Sequence, residues 1–117
     1  MTMTNDEINA KIARLQGWEH LPPPAMPAWQ RPTDHGMEEL WNLPDYAGLV
    51  CKAWELVDEM VAGNCVVTIE GAIITDGSIG FVCGAGPHYL SRHIVTDTTA
   101  PRAICLAYIA WKEQQAA

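Results

Sequence analysis

Thr98-Thr99-Ala100-Pro101-Arg102-Ala103-Ile104-Cys105-Leu106-Ala107-Tyr108-Ile109-Ala110-Trp111-Lys112 is the stretch that decides the fold. Thr98 or Thr99 can cap a helix, because a hydroxyl there accepts from a first-turn N–H that has no partner within the helix. Pro101 suits the first turn, where no donor is needed. From Ala103 to Trp111 no residue is charged. Ile104, Ala107, Tyr108 and Trp111 form one helical stripe, and Leu106, Ile109 and Ala110 form another beside it. A helix apolar on more than one side must be covered on more than one side. It therefore lies in a core or under a second chain. More apolar surface is offered than one small sheet can cover, so the span predicts a homodimer or larger assembly.

The chain has 117 residues, which fits a single domain over 1–117 with a small core. Its formal net charge is −7, with seven Lys and Arg in all. A broad basic face for duplex nucleic acid is excluded, although a small anion held by two or three local cations is not. No run of about 18 apolar residues is present, so no membrane span is expected. The opening Met1-Thr2-Met3-Thr4-Asn5-Asp6-Glu7 is polar and acidic, unlike a signal peptide. Cys51, Cys65, Cys83 and Cys105 are scattered and each falls in an apolar element. They read as buried, reduced thiols without metal, which suits a reducing cytoplasm.

Upstream of the deciding helix the chain changes character twice. Thr4-Asn5-Asp6-Glu7 is a capping-box pattern. It opens a helix over about 4–16 in which Ile8, Ile12 and Leu15 share a face; Gly17 ends it and Trp18 folds back. Residues 19–44 hold six of the eight prolines, with Trp29 and Trp41 between them. This predicts a long loop without regular structure, a turn at Asp34-His35-Gly36 and a short helical turn over Met37–Trp41. The two tryptophans either pin that loop to the body or line a ligand pocket. A second helix is expected over about 46–62, capped by Asp45 and stopped by Gly63-Asn64. Its apolar stripe would be Leu49, Val50, Ala53, Val57, Met60 and Val61, with Lys52, Glu55, Asp58 and Glu59 in water. Strand periodicity then runs from about 65 to 96. Gly71 breaks or bulges the first strand, Asp76-Gly77 makes a two-residue hairpin turn, and Tyr89–Thr96 forms the last strand. The predicted class is α+β: an antiparallel sheet of three to four strands with helices packed on it, in the order α-α-β-β-β-α.

The Asn5-Asp6-Glu7-Ile8-Asn9-Ala10-Lys11-Ile12-Ala13 helix ending in Gly17-Trp18 is one part of a wider pattern. Pro44-Asp45-Tyr46, Ala53-Trp54-Glu55-Leu56-Val57, Val66-Val67-Thr68-Ile69 and Asp97-Thr98-Thr99-Ala100-Pro101-Arg102-Ala103-Ile104-Cys105-Leu106-Ala107 complete it. In their order these pieces resemble the phage ABA sandwich domain family of small bacteriophage and prophage proteins. The resemblance implies an α/β/α sandwich and a bacteriophage or prophage origin, which with the reduced thiols gives the cytoplasm of the bacterial host as the expected location. It brings no catalytic residues.

Chemistry is sparse. His88 and His93 would point to opposite faces of a strand and make a poor metal pair. Cys83 with His88, or Ser91 with His93, lacks the spacing of a nucleophile elbow or triad. Gly84-Ala85-Gly86 lacks the third glycine of a dinucleotide fingerprint, so no cofactor is expected. The better constellation is anionic: Arg92 and His93 precede the last helix, Thr98 and Thr99 open it, and Arg102 lies in its first turn. A helix N-terminus offers free N–H groups to a phosphate, and Trp29 or Trp41 could stack a base. The expected role is a non-enzymatic phage accessory protein that sequesters a small anionic, nucleotide-type ligand or inhibits a host defence protein. An assembly or virion-associated protein acting through protein interfaces is the alternative, and a small hydrolase a third.

Overall fold

The computed structural model describes residues 3–24, 28–73, 77, 79–88 and 93–116. Its elements in chain order are α1 (Asn5–Leu15), β1 (Glu19–His20), β2 (Trp29–Thr33), β3 (Gly36–Leu40), α2 (Val50–Ala62), β4 (Val66–Ile73), β5 (Ile79–Gly86), β6 (His93–Asp97) and α3 (Ala100–Ala116). The class is α+β, as the periodicity predicts. The order α-α-β-β-β-α holds for the larger elements, with a second sheet inserted between the first two helices.

Helix α3 begins at Thr99, whose hydroxyl accepts from the Arg102 N–H at 3.4 Å and whose carbonyl accepts from Ala103 N at 3.1 Å. The first expected stripe is enclosed, and of the second Ile109 is buried while Leu106 and Ala110 are partly exposed. Ala103, Ile104, Cys105, Ala107, Tyr108, Ile109 and Trp111 are all buried. Strands β5 and β6 cover one side of the helix, while α1 and α2 cover others. Most of the surface that suggested a second copy of the chain is thus covered by the chain's own elements. Each large side chain buried this way contributes about 1.5–3 kcal/mol. No helix among the described residues is long and apolar enough to cross a membrane.

Strands β4, β5 and β6 form an antiparallel sheet in that order. Val67 lies opposite Ala85, Ile69 opposite Cys83, and Cys83 opposite Val95, and all of them join the main core. Gly71 interrupts nothing: it pairs with Phe81 inside β4. A two-residue Asp76-Gly77 turn would set Ile73 opposite Gly80. The observed register sets it opposite Ile79, with residues 74–78 between them. Asp76 itself, and Tyr89–Arg92 of the expected last strand, lie outside the described residues.

The expected loop over 19–44 is instead built around a three-stranded antiparallel sheet, β1-β2-β3. The prolines permit this because of where they fall. Pro32 sits in β2, but β1 reaches only Trp29 and Gln30, so the missing N–H of Pro32 breaks no bond to β1. Asp34-His35 makes the turn, and Gly36 takes φ 128°, a conformation that favours glycine. Met37–Leu40 is strand, not a helical turn, because Arg31 pairs with Glu38 across the hairpin at 2.9 Å. Trp29 packs with Ala13 and Trp18 in a small second core, joined by Leu40 and Leu43. Trp18 therefore folds back onto Ala13 and away from the Ile8–Ile12 face.

Helix α2 starts later than expected. Asp45 caps the turn before it, its Oδ1 accepting from Gly48 N at 3.0 Å, and Leu49 is the helix N-cap without a side-chain bond. The buried stripe is Ala53, Leu56, Val57 and Met60, whereas Leu49, Val50, Val61 and Cys51 are exposed. Gly63 ends α2 against Trp111, where an added Cβ would stand 2.8 Å from the ring, and Asn64 takes the left-handed φ of 63°.

Cys65, Cys83 and Cys105 are buried free thiols. Burial pushes Cys83 up to about 11 and Cys105 up to about 12, from an ordinary 9.0. The native state keeps these protons after the unfolded chain has released them, so stability is complete below pH 9.0 and falls as pH rises through the raised values. Urea unfolding should show lower stability at about pH 10.5 than at about pH 8. Replacing Cys83 and Cys105 together by Ala should flatten that slope; an unchanged slope would place its cause elsewhere.

Candidate functional site

The start of α3 is a clamp. The Arg102 guanidinium donates from Nε to Asp97 Oδ1 at 3.1 Å, from Nη1 to Asn5 Oδ1 at 2.5 Å and from Nη2 to the Met3 carbonyl at 2.8 Å. Its side chain is 14% exposed and that of Asp97 12%. Thr98 closes on the same carboxylate, through N–H at 2.7 Å and the hydroxyl at 3.2 Å. Thr99 is the cap already described. These groups tie the end of β6 and the start of α3 to the chain just before and within the first turn of α1. They surround a carboxylate, which repels an anion. His93 is exposed at the far end of β6, four residues from Asp97 and hence about 13 Å along the strand. Arg92 lies outside the described residues.

Trp29 and Trp41 do come together, on a cavity of about 570 Å³ between α1 and the segment from β3 to α2. Its charged lining is Asp6 and Asp45. The charged lining of the stacking surface is therefore acidic, and Arg102, which donates to the lining residue Asn5, is itself paired with Asp97.

A cleft of about 520 Å³ opens where the small sheet meets the C-terminal ends of the helices. Gln16, Trp18, Arg31, Tyr46, Glu59 and Lys112 line it, with Leu40 and Pro44 as an apolar wall. Glu59, expected to be solvated, is the hub. Its Oε2 accepts from the Tyr108 hydroxyl at 2.5 Å and lies 3.2 Å from Lys112 Nζ, and its Oε1 accepts from Gln16 Nε2 at 3.4 Å. Burial first, and then the bond to Glu59, raises the Tyr108 hydroxyl far above its ordinary range, so it stays a donor. Burial likewise raises Tyr46. Arg31 lies 4.5 Å from the Trp18 ring centre, donates to the Gln16 carbonyl at 3.3 Å and pairs with Glu38. The two cations are partly buried, Arg31 at 32% exposure and Lys112 at 27%.

Sequence reasoning missed this cleft. One signal was available: Tyr108 places a hydroxyl in an otherwise apolar span, and a buried hydroxyl needs a partner. Among the described residues no three His, Cys, Asp or Glu side chains gather in metal-ligating geometry. Burial holds the Cys83 and Cys105 thiols and the Tyr108 hydroxyl in their neutral forms.

Two substitutions separate these roles by stability. Arg102→Ala should cost about 2–3 kcal/mol in urea unfolding, because the part-buried Asp97 keeps its bonds from Thr98 but loses its ion pair, and Asn5 and the Met3 carbonyl lose their donor. Glu59→Ala should cost about 2 kcal/mol through the stranded Tyr108 hydroxyl, whereas Asp58→Ala, on the open face of α2, should change stability by less than about 0.5 kcal/mol.

No family model matches the chain, and neither does a curated protein or a solved structure.

Proposed function

We propose that the chain is a binding protein for a small anionic ligand of nucleotide type, held in the cleft between Arg31 and Lys112. The observation that carries this reading is the placement of two partly buried cations, Arg31 and Lys112, on the lining of one cleft in a chain of net charge −7; Lys112 pairs with Glu59, and Arg31 pairs with Glu38, which does not line the cleft. Glu59 is already occupied on both oxygens. Lys112 has three donors and gives one to Glu59. Stacking on Trp18 and the bond to the Gln16 carbonyl fix the Arg31 fork. A fixed guanidinium suits phosphate or carboxylate oxygens. Partial burial reduces competition from water, so each charged hydrogen bond contributes about 1.5–3 kcal/mol. Tyr46, Leu40 and Pro44 supply an apolar wall for the body of the ligand.

The resemblance to phage ABA sandwich proteins adds a setting: the cytoplasm of an infected bacterium, where holding such a molecule would withdraw a host signal. A protein partner is the second reading, favoured by Val50, Trp54 and Val61, which are exposed along one line of α2.

A thermal-shift screen of inorganic phosphate and mono-, di- and cyclic nucleotides tests the first reading. At least one should stabilise the protein, and Arg31→Ala or Lys112→Ala should weaken its binding about tenfold to a hundredfold, at about 1.4 kcal/mol per decade. Arg102→Ala should leave affinity unchanged. Loss with Arg102→Ala alone would move the site to the start of α3, and no stabilisation by any anion would favour the protein partner.

A further inference from the structure

The acidic tryptophan cavity has a chemistry opposite to that of the cleft. Helix α1 contributes Asp6 and Asn9 to it, β2 contributes Trp29, and the segment after β3 contributes Trp41 and Asp45. Asp45 is held in place: its Oδ1 accepts from Asn9 Nδ2 at 3.0 Å and from Gly48 N at 3.0 Å, while Asn9 Oδ1 accepts from Ala47 N at 2.9 Å. Both bonds to Asp45 fall on one oxygen, leaving Oδ2 without a hydrogen bond among the described residues. Neither Asp6 nor Asp45 has an ion pair among the described residues.

Three tryptophans of this chain already carry a cation on the ring. Arg14 stands 5.7 Å from the centre of Trp29, Arg31 4.5 Å from Trp18, and Lys112 Nζ 5.3 Å from Trp111. Trp41 carries none among the described residues, and it is 61% exposed at the rim of a cavity whose charged lining is two carboxylates. An aromatic face attracts a cation through its quadrupole, and a nearby carboxylate adds Coulomb attraction. Both carboxylates are exposed, and they attract a cation on the ring where they would not attract an anion or a neutral apolar ligand.

We infer that this cavity binds an organic cation, an alkylammonium or guanidinium group, against the Trp41 ring with Asp6 and Asp45 as counter-charges. The group can be carried by a basic side chain of a peptide or by a free amine. This site does not depend on the cleft, since the two share no lining residue.

Titration of the intact chain with choline, followed by tryptophan fluorescence and by the indole N–H resonances, tests it. The neutral isostere 3,3-dimethylbutan-1-ol serves as the control. Choline should shift the Trp41 signal saturably, and the isostere should not. Trp41→Ala should weaken choline binding about threefold to thirtyfold, and Asp6→Asn should weaken it too while leaving the fold intact by circular dichroism. N-acetyl-lysine methylamide and N-acetyl-arginine methylamide extend the series: tighter binding than choline assigns the site to a peptide side chain, weaker binding to a free amine. Equal binding of choline and its isostere, no saturable shift with any cation, or affinity unchanged in both variants would overturn the inference. Retention of choline binding in Lys112→Ala separates this result from any failure at the cleft.

Discussion

Helix α3 has no polar face through its middle, and most of this architecture follows from the need to enclose it. A sheet covers one side of such a helix, and the remaining sides need other helices. Helices α1 and α2 take those positions. Their attachment is polar at the ends and apolar between. Arg102 reaches Asn5 at one end of α1, Lys11 lies 3.6 Å from Glu113 near the other, and Glu59 of α2 accepts from Tyr108. Since Asn5 meets Arg102 and Lys11 meets Glu113, α1 runs alongside α3 in the same direction. Apolar burial is non-directional and supplies the larger driving force. The polar pairs fix which part of each helix faces which, because a slip of one turn would part Arg102 from Asn5 or the Tyr108 hydroxyl from Glu59.

Much of this was legible in the sequence where a local signal and a burial requirement agree. The capping box at Thr4 and Glu7, the left-handed Gly17, the Gly63-Asn64 stop and the Thr99 cap all act within a few residues, and all four are present. The small sheet was not legible, for a physical reason. Proline counts against strands only where a partner strand needs its N–H, and Pro32, opposite Met37 of β3, lies beyond the end of β1. Composition records how many prolines there are but not which edge each one faces. The stripe of α2 was misread in the same way: Val50 and Val61 are apolar but turned outward, whereas Leu56 is turned in. Hydrophobicity alone does not say which of two adjacent apolar lines meets α3.

The candidate site was less legible still. A run of Arg, His and Thr at a helix start suggests an anion site, but the same groups can satisfy one another. Arg102 does this with Asp97, five residues earlier in the chain, and with Asn5 and Met3, almost the whole chain away. Its partners at the chain's start could not be read from the local motif. The cleft is assembled likewise from distant pieces: Gln16 from the end of α1, Arg31 from β2, Glu59 from α2 and Lys112 from α3. None of these carries a motif, and their chemistry exists only once the helices are docked.

Both cavities with ligand-like chemistry border the same small sheet, one on each side of its junction with α1. That sheet is fastened by a core of only Ala13, Trp18 and Trp29 with a few partly buried neighbours, far less than encloses α3. Segments with few buried apolar contacts open at lower free energy than the main core. The junction is nevertheless rich in cation–aromatic contacts, with Arg14 on Trp29 and Arg31 on Trp18. These hold α1 and β2 together through groups that also border the two cavities. Of the two tryptophans in the proline-rich segment, Trp29 thus both pins the small sheet and borders a cavity, whereas Trp41, 61% exposed, borders it without entering either core.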